Sequence, residues 1–136
     1  MTLSLDSNVL IDLLNAGNAN VRARYDAVLM AGGPIVISVL VAEELIFGAL
    51  VSHRPEFHMA AARTLLGNHV IADWTEGDAY AAARLRAQLH RTGNSIGSYD
   101  TLIAGQAMNR GWTLVTANTR EFNRVEGLQV EDWTKG

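Results

Sequence analysis

Short apolar runs alternate with longer segments of helical periodicity along the whole chain. Such runs, rich in Val, Ile and Leu, are typical of strands because they are too short for a helix. They predict strands at Leu3–Leu5, Ile35–Ile37, Val70–Ala72 and Trp112–Thr116, with a fifth candidate at Leu128–Val130. Strands that alternate with helices indicate an α/β protein with a central parallel sheet of about four to five strands, covered by helices on both faces.

The helices are predicted from apolar spacing and from start and stop signals. Gly32-Gly33-Pro34 ends one helix, Ser38 and Ser98 are placed to cap two others, Pro55 suits a first helical turn, and Gly111 closes the last long helix. The predicted helices are Val9–Leu14, Ala19–Ala31, Val39–Val51, Pro55–Leu66, Glu76–Arg91 and Ser98–Arg110, with a short turn or helix at Asn118–Phe122.

Composition places the chain among globular proteins. With 49% hydrophobic and 18% charged residues, the 136 residues are expected to form a single domain, residues 1–136. The sequence has no apolar run of membrane-spanning length, no N-terminal signal segment and no cysteine, so a cytoplasmic location is expected. The four histidines lack the spacing of a zinc site.

The net charge of −3 does not by itself predict a nucleic-acid-binding protein. Ten of the eleven basic residues are nevertheless arginine, whose guanidinium suits bidentate contacts with phosphate, and the one lysine is Lys135. Divalent ions bound by a cluster of carboxylates would also offset the negative charge. The charge therefore does not exclude RNA as a ligand.

A carboxylate and an amide follow the first predicted strand. Asp6 falls where the strand ends and Asn8 lies two residues later. In open parallel sheets, ligands bind outside the carboxyl ends of the strands, so this pair is a candidate for holding a metal ion or a phosphoryl group. The same pattern also serves in helix capping and turns, and this stretch alone does not separate the two interpretations.

Two adjacent glutamates lie in the middle of the helix Val39–Val51, which is apolar nearly all round. Leu40 and Gly48 share the face of Glu44, whereas Glu43 points about 100° away, so one of the two is expected to be exposed. Burying a carboxylate is costly unless it is paired or ligates a metal. Glu44 is therefore a candidate ligand, with a solvated position as the alternative.

Asp100 lies in the first turn of the helix that begins near Ser98, on the same face as Ile103 and Ala107. That face should point into the protein. A helix N-terminus favours the ionised carboxylate, which would make Asp100 a ready anionic ligand. Interaction with the helix dipole alone is the alternative role.

Thr116-Ala117-Asn118 leaves the end of the fourth strand, as Asp6 leaves the end of the first. Both should therefore open on the same edge of the sheet. Asn118 can offer a metal a neutral oxygen. Glu121 either reaches the site or completes an Asn118-x-x-Glu121 capping box, and the sequence leaves both roles open.

Four segments make the sequence similar to the PIN-domain ribonucleases and, within that family, to the VapC toxins of bacterial toxin–antitoxin modules. They are Leu5–Val9, Ile37–Gly48, Ile96–Gly105 and Leu114–Phe122, which occur in the family's order over nearly the whole chain. The resemblance implies a PIN-like fold. It also implies that the three invariant acids of the family are Asp6, Glu44 and Asp100, with Glu44 rather than Glu43 at the second position.

The resemblance further implies that Asn8 and Thr116 are supporting polar residues. A fourth aspartate that is frequent in the family would fall at Asn118, where this chain departs from the pattern. The Asn-Thr-Arg-Glu-Phe version of the motif implies Glu121 as the substitute. This departure leaves open whether the site binds one metal ion or two.

A site of this kind implies metal-dependent cleavage of RNA. Crowded carboxylate oxygens select Mg²⁺ or Mn²⁺, and such ions activate a bound water and stabilise a leaving oxygen. By resemblance, the substrate is a structured RNA, most often a transfer RNA cut in a single-stranded loop. A VapB-like antitoxin and a homodimer are the implied partners. Candidates for phosphate contacts, unless they are merely solvated, are Arg84, Arg86, Arg91, Arg120 and Arg124.

Three alternative functions fit parts of the sequence. A phosphotransferase also carries an acid after its first strand, but it needs a lysine beside the phosphoryl group, and this chain has none before Lys135. A PIN nuclease that acts in RNA processing would share every motif, and a neighbouring antitoxin gene would distinguish the toxin from it. A catalytically weak interaction module is suggested only by Asn118, and a metal titration would identify it.

Overall fold

A computed structural model describes residues 1–135 and confirms the predicted α/β fold. The strands are β1 (Leu3–Leu5), β2 (Ile35–Ser38), β3 (Val70–Ala72), β4 (Thr113–Val115) and β5 (Val130–Glu131). The helices are α1 (Ser7–Asn15), α2 (Ala19–Met30), α3 (Val39–Leu50), α4 (Pro55–Gly67), α5 (Glu76–Arg91), α6 (Ser98–Arg110) and α7 (Thr119–Phe122). The strands form one sheet in the order β3-β2-β1-β4-β5, with every neighbouring pair parallel.

The centre of the sheet is buried on both faces. Every residue of β1 and β4 is buried, including the polar Ser4 and Thr113. Because successive strand residues point to opposite faces, this burial requires helices on both sides. The order of the strands places β1 and β4 side by side, so the segments that follow them lie at the same edge of the sheet.

Two helix starts differ from the predictions. The helix predicted from Val9 begins two residues earlier, because Asp6 is its N-cap and its carboxylate accepts the Ser7 N–H at 2.8 Å. The predicted cap of α6 by Ser98 is wrong: Gly97 is the N-cap residue and provides no side-chain cap. The Thr101 hydroxyl instead donates to the Gly97 carbonyl at 2.9 Å.

Other predicted boundaries are confirmed or move slightly. The Ser38 hydroxyl accepts the Leu40 N–H at 3.2 Å, as expected of a cap. Gly111 ends α6 in the left-handed conformation, with φ of 69°. The fifth strand lies at Val130–Glu131, later than the predicted Leu128–Val130, because its register with β4 pairs Leu114 with Val130.

A buried carboxylate ties the start of α5 to the end of α6. Asp78 is fully buried and accepts Arg110 Nη2 at 2.8 Å, Arg110 Nε at 3.0 Å and Asn109 Nδ2 at 2.9 Å. Burial raises the pKa of Asp78, but the hydrogen bonds from Arg110, Asn109 and Thr75 outweigh it and hold the pKa well below its usual range. This network fixes the helix that carries Asp100.

Gly105 allows α5 and α6 to approach closely. A Cβ atom at this position would lie 2.5 Å from Ala82 Cα and 2.9 Å from Ala82 N. Only glycine fits there, because the atoms in the way belong to the backbone of α5. The close packing and the Asp78 network together set the direction of α6.

No helix within residues 1–135 has both the length and the apolar character needed to cross a membrane.

Candidate active site

Asp6 lies at the end of β1, where α1 begins, and its carboxylate is held by three donors. Oδ1 accepts the Ser7 N–H at 2.8 Å, and Oδ2 accepts the Thr116 hydroxyl at 2.8 Å and the Asn8 amide at 3.1 Å. The residue is 4% exposed. Burial raises its pKa, and the hydrogen bonds from Thr116, Ser7 and Asn8 oppose that effect.

The two predicted supporting residues join the ends of β1 and β4. Asn8 Nδ2 also donates to Thr116 Oγ1 at 3.1 Å, and Asn8 Oδ1 accepts the Ala117 N–H at 3.1 Å. Thr116 is fully buried and its oxygen also accepts the Asn118 N–H at 3.0 Å. The amide of Asn8 thus links the segment after β1 to the segment after β4. The position of Asp6 therefore depends on β4 as well as on β1.

Glu44 and Glu43 occupy different environments, although they are adjacent. Glu43 is exposed, whereas Glu44 is half-buried and its Oε1 is fully buried with no hydrogen-bond partner within residues 1–135. Burial, the charge of Asp6 and the charge of Glu43 raise the pKa of Glu44, and the Ser7 hydroxyl opposes them. An apolar cleft of about 220 Å³ begins at Glu44 and runs between α1, α3 and α4.

Asp100 and Glu121 come together at the start of α6. Asn118 Nδ2 lies 3.4 Å from Asp100 Oδ2 and 3.4 Å from Glu121 Oε2. Burial, a hydrogen bond with Glu121 and the charges of Asp6 and Glu44 raise the pKa of Asp100 to about 7. The hydrogen bond from Asp100, with the help of Asn118 and Arg124, lowers the pKa of Glu121. Below about pH 7 the two carboxyl groups therefore hold one proton between them.

The alternative role of Glu121 as a capping residue is wrong. Asn118 is the N-cap of α7 and makes no side-chain cap hydrogen bond. The side chain of Glu121 instead contacts Asp100 and accepts a hydrogen bond from the Gly97 backbone. The carboxylate therefore reaches the acidic site.

The donors at this edge fit a divalent cation in their chemistry. They are all carboxylate oxygens, neighbouring carboxylate charges help to raise the pKa values of Glu44 and Asp100, and Glu44 Oε1 is buried without a hydrogen-bond partner within residues 1–135. Within residues 1–135, no three acidic or histidine side chains stand close enough together to enclose a metal ion as they are placed. Mg²⁺ usually keeps several water ligands and takes only one or two carboxylates directly, so the set does not need to form a closed cage. The residues able to hold the ion are Asp6, Glu44, Asp100 and Glu121.

The five candidate RNA-binding arginines do not form one group. On α5, Arg84 lies 6.0 Å above the ring of Tyr80, while Arg86 is on the opposite side and lines a second cleft. Arg91 and Arg120 are exposed, and Arg124 Nη1 donates to the Ser95 carbonyl at 3.1 Å. Arg124 therefore has a structural contact with the loop before α6.

Tyr99 belongs to the surroundings of the site, and sequence reasoning missed it. Its hydroxyl donates to the Leu40 carbonyl at 3.0 Å and lies 3.4 Å from Glu43 Oε2. The contact fastens the first turn of α6, which carries Asp100, to the helix that carries Glu44. The two partners are 59 residues apart in sequence, so no local pattern signals the bond.

Comparison with known proteins identifies the family. The PIN domain family matches residues 3–128. The chain is 38% identical over 130 residues to the tRNA(fMet)-specific endonuclease VapC of Shigella flexneri, with 96% of both chains covered. Its structure is similar to those of DNA-bound VapBC from Salmonella typhimurium (TM-score 0.90, 33% identity, 98% of both chains) and of VapBC2 from Rickettsia felis bound to a promoter DNA fragment (TM-score 0.91, 28% identity, 98% of this chain and 99% of that one). The chain therefore belongs to the PIN-domain family and, within it, to the VapC proteins.

Proposed function

We propose that this chain is a metal-dependent endoribonuclease, the toxin of a VapBC-type toxin–antitoxin module. The observation that carries the proposal is the placement of Asp6, Glu44, Asp100 and Glu121 at one edge of the sheet, where burial, a hydrogen bond with Glu121 and the neighbouring carboxylate charges raise the pKa of Asp100 to about 7. Clustered carboxylates destabilise the folded protein, so such clusters are typical of functional sites that bind a cation or transfer a proton.

The four carboxylates have different tasks in this mechanism. Asp6 is fixed by three donors, so it serves as a rigid ligand that needs no rearrangement. Glu44 would offer Oε1, which is unpaired within residues 1–135, and Asp100, whose pKa is raised to about 7, would act as a ligand in its ionised form beside Glu121. When bound, Mg²⁺ or Mn²⁺ would lower the pKa of a water and stabilise the charge on the cleaved phosphodiester.

The proposed substrate is a transfer RNA. The name of the Shigella flexneri relative says that it acts on tRNA(fMet), and 38% identity over nearly the full length supports the same substrate class for this chain. Cleavage in a single-stranded loop follows from the chemistry, because a nuclease must reach both the phosphate and the approach line of the attacking water. Inhibition of translation would be the result in the cell.

The proposed partner is a VapB-like antitoxin. The similar solved structures are VapBC complexes from Salmonella typhimurium and Rickettsia felis. Several large apolar side chains of this chain are exposed, and an exposed apolar surface of this kind is consistent with protein partners.

Cleavage of purified transfer RNA by the purified chain, with mapping of the new RNA ends, tests the proposal. We expect discrete cuts in one loop of one or a few transfer RNAs in Mg²⁺ or Mn²⁺, and none in EDTA. The Asp6→Asn variant should be inactive, which guards against a contaminating nuclease. Cutting at full rate in EDTA would refute the metal mechanism, and cleavage that persists with the cognate antitoxin in excess would refute the toxin role.

A further inference from the structure

A cleft of about 860 Å³ lies beside the acidic site and has no role in the mechanism above. We call it the α5–α6 cleft, and its polar and aromatic lining consists of Trp74, Arg86, His90, Ser95, Ser98 and Thr101. Its walls are otherwise alanines of α5 and aliphatic side chains. The volume falls within the range of about 300–1,000 Å³ that is usual for ligand sites.

The cleft and the acidic site share the first turn of α6. Ser98 and Thr101 line the cleft, while Asp100, between them, belongs to the acidic site. Leu40 lines the cleft one helical turn before Glu44, and it is bonded to Tyr99. An RNA strand bound across the acidic site can therefore pass over the first turn of α6 and enter the cleft directly.

The rim of the cleft favours an anion. Arg86 forms no ion pair or side-chain hydrogen bond within the described part of the chain, and His90 lies one turn further along the same face of α5. The lining also includes Ser98 at the start of α6, and within residues 1–135 no side chain caps that helix. A guanidinium and a helix N-terminus together suit a phosphate group.

The interior favours a planar, uncharged group. Trp74 is half-buried, and Ala79, Ala83 and Leu102 line the same cleft. Unpaired bases of RNA are bound by stacking on aromatic side chains, with phosphate contacts at the rim of the site. The combination of an apolar interior and a cationic rim matches a nucleotide better than it matches an aliphatic side chain.

We propose that the α5–α6 cleft binds a nucleotide of the RNA next to the scissile phosphate, with Arg86 on its phosphate and Trp74 against its base. The inference rests on the proposed function, since it names a subsite for that substrate. It makes the cleft a determinant of which loop sequence is cut.

Arg63 supplies a matched control for Arg86. It carries the same charge and is exposed on α4, but it does not line the cleft. A difference between the two variants therefore reports the position of the charge and not the net charge of the protein. Ala83→Trp provides a second test, because it fills the cleft without removing any charge.

The first measurement is binding of fluorescein-labelled tRNA(fMet) in EDTA at several salt concentrations. Arg86→Ala should reduce the slope of log affinity against log salt by roughly 0.7–1, the value for one phosphate contact, whereas Arg63→Ala should stay near the wild-type slope. Trp74→Ala and Ala83→Trp should weaken binding roughly tenfold, the scale of one base stack, with an unchanged slope.

The second measurement is cleavage of the same RNA in Mg²⁺. The three cleft variants should raise KM and leave kcat near the wild-type value, because the acids are untouched. The two proposals can fail independently. If the wild-type protein binds the RNA but does not cleave it, the proposed nuclease function is contradicted. The binding measurements would still show whether the cleft contacts the RNA. Equal affinities and slopes for Arg86→Ala, Ala83→Trp and wild type would overturn the inference. The inference would also be overturned if Ala83→Trp lost a dimer in light scattering but kept its affinity for RNA. That result would show that a second copy of the chain occupies the cleft.

Discussion

Asp100 and Glu121 face each other across Asn118, whose amide nitrogen lies 3.4 Å from an oxygen of each carboxylate. The amide is neutral at the position where the family resemblance implied a fourth aspartate. A fourth charge at this position would add to the repulsion that already raises the pKa of Asp100. The chain thus has four acids at this edge of the sheet. The fourth, Glu121, lies three residues after Asn118 and its carboxylate reaches the same amide nitrogen as that of Asp100.

The shared proton predicts how the metal-free protein responds to pH. The pKa of Asp100 rises from 3.8 to about 7 on folding, so between these values only the folded state keeps the proton. The free energy of unfolding in EDTA should therefore fall as pH rises from about 4 to 7. Asp100→Asn should flatten this slope and be more stable than wild type at pH 8. Glu126→Gln, which removes an exposed charge, should leave the slope unchanged. Identical slopes for wild type and Asp100→Asn in urea titrations would contradict the prediction.

The adjacent glutamates predict a large difference between two similar variants. Glu44→Gln should lower the cleavage rate by about 10²–10³-fold, because it removes one element of charge stabilisation at the reacting phosphate. Glu43→Gln should change the rate only a few-fold, since that side chain is exposed.

The comparison requires both variants to be folded, which circular dichroism melting curves check. Glu44→Gln is expected to keep or raise Tm without metal, because it removes a charge whose oxygen is buried and unpaired. Loss of cleavage in Glu43→Gln together with full cleavage in Glu44→Gln would show that the assignment is wrong by one residue.

The close approach of α5 and α6 predicts that Gly105→Ala is destabilising. Its Cβ would lie 2.5 Å from Ala82 Cα, and relieving such a contact costs about 1–3 kcal/mol in a packed core. Gly67→Ala is the matched change, because nothing lies within 4 Å of the added Cβ. It should stabilise the protein by up to about 1 kcal/mol, the difference in helix propensity. Urea unfolding measures both, and equal stabilities would refute the packing argument.

The buried Asp78 predicts sensitivity to charge removal and to acid. Asp78→Asn should lower the free energy of unfolding by about 2 kcal/mol at pH 7, the scale of hydrogen bonds to a charged group. Because the pKa of Asp78 in the folded protein is depressed below its ordinary value of 3.8, this contribution is present above that pH and is lost as pH falls below it. Asp26→Asn, in an exposed pair with Arg22, should cost less than about 0.5 kcal/mol. A stability difference that persists unchanged at pH 3 would contradict the assignment.

The apolar surface of α3 and α4 predicts a homodimer. Phe47, Leu50, Val51 and Phe57 are 61%, 57%, 66% and 50% exposed, which is unusual for neighbouring large side chains. Light scattering at micromolar concentration should give twice the mass of one chain, and Phe47→Asp should give a monomer. Met30→Asp alters an exposed apolar residue at the end of α2 and should leave the dimer intact. A monomeric wild type would contradict the prediction.

Local patterns in the sequence determined the secondary structure and the acids of interest. Short β-branched runs and start and stop residues located all five strands and the seven helices to within a few residues, because these signals act between near neighbours. Helix periodicity turned Glu44 inward and Glu43 outward, and the structure confirms that difference in exposure. The position of Asp6 after β1 followed from the alternation of strands and helices.

Only the tertiary structure decided the relations between distant segments. It placed the side chain of Glu121 beside Asp100, because whether that side chain caps its own helix or reaches Asp100 depends on where α6 lies. It also brought Tyr99 to Leu40 and Thr116 to Asp6, and it separated Arg86 from Arg84 by placing only one of them on a cleft. These contacts join residues that are far apart in sequence, and their geometry is set by the packing of α5 on α6 and by the strand order. Local sequence patterns carry no information about such distances, whereas the folded core fixes them.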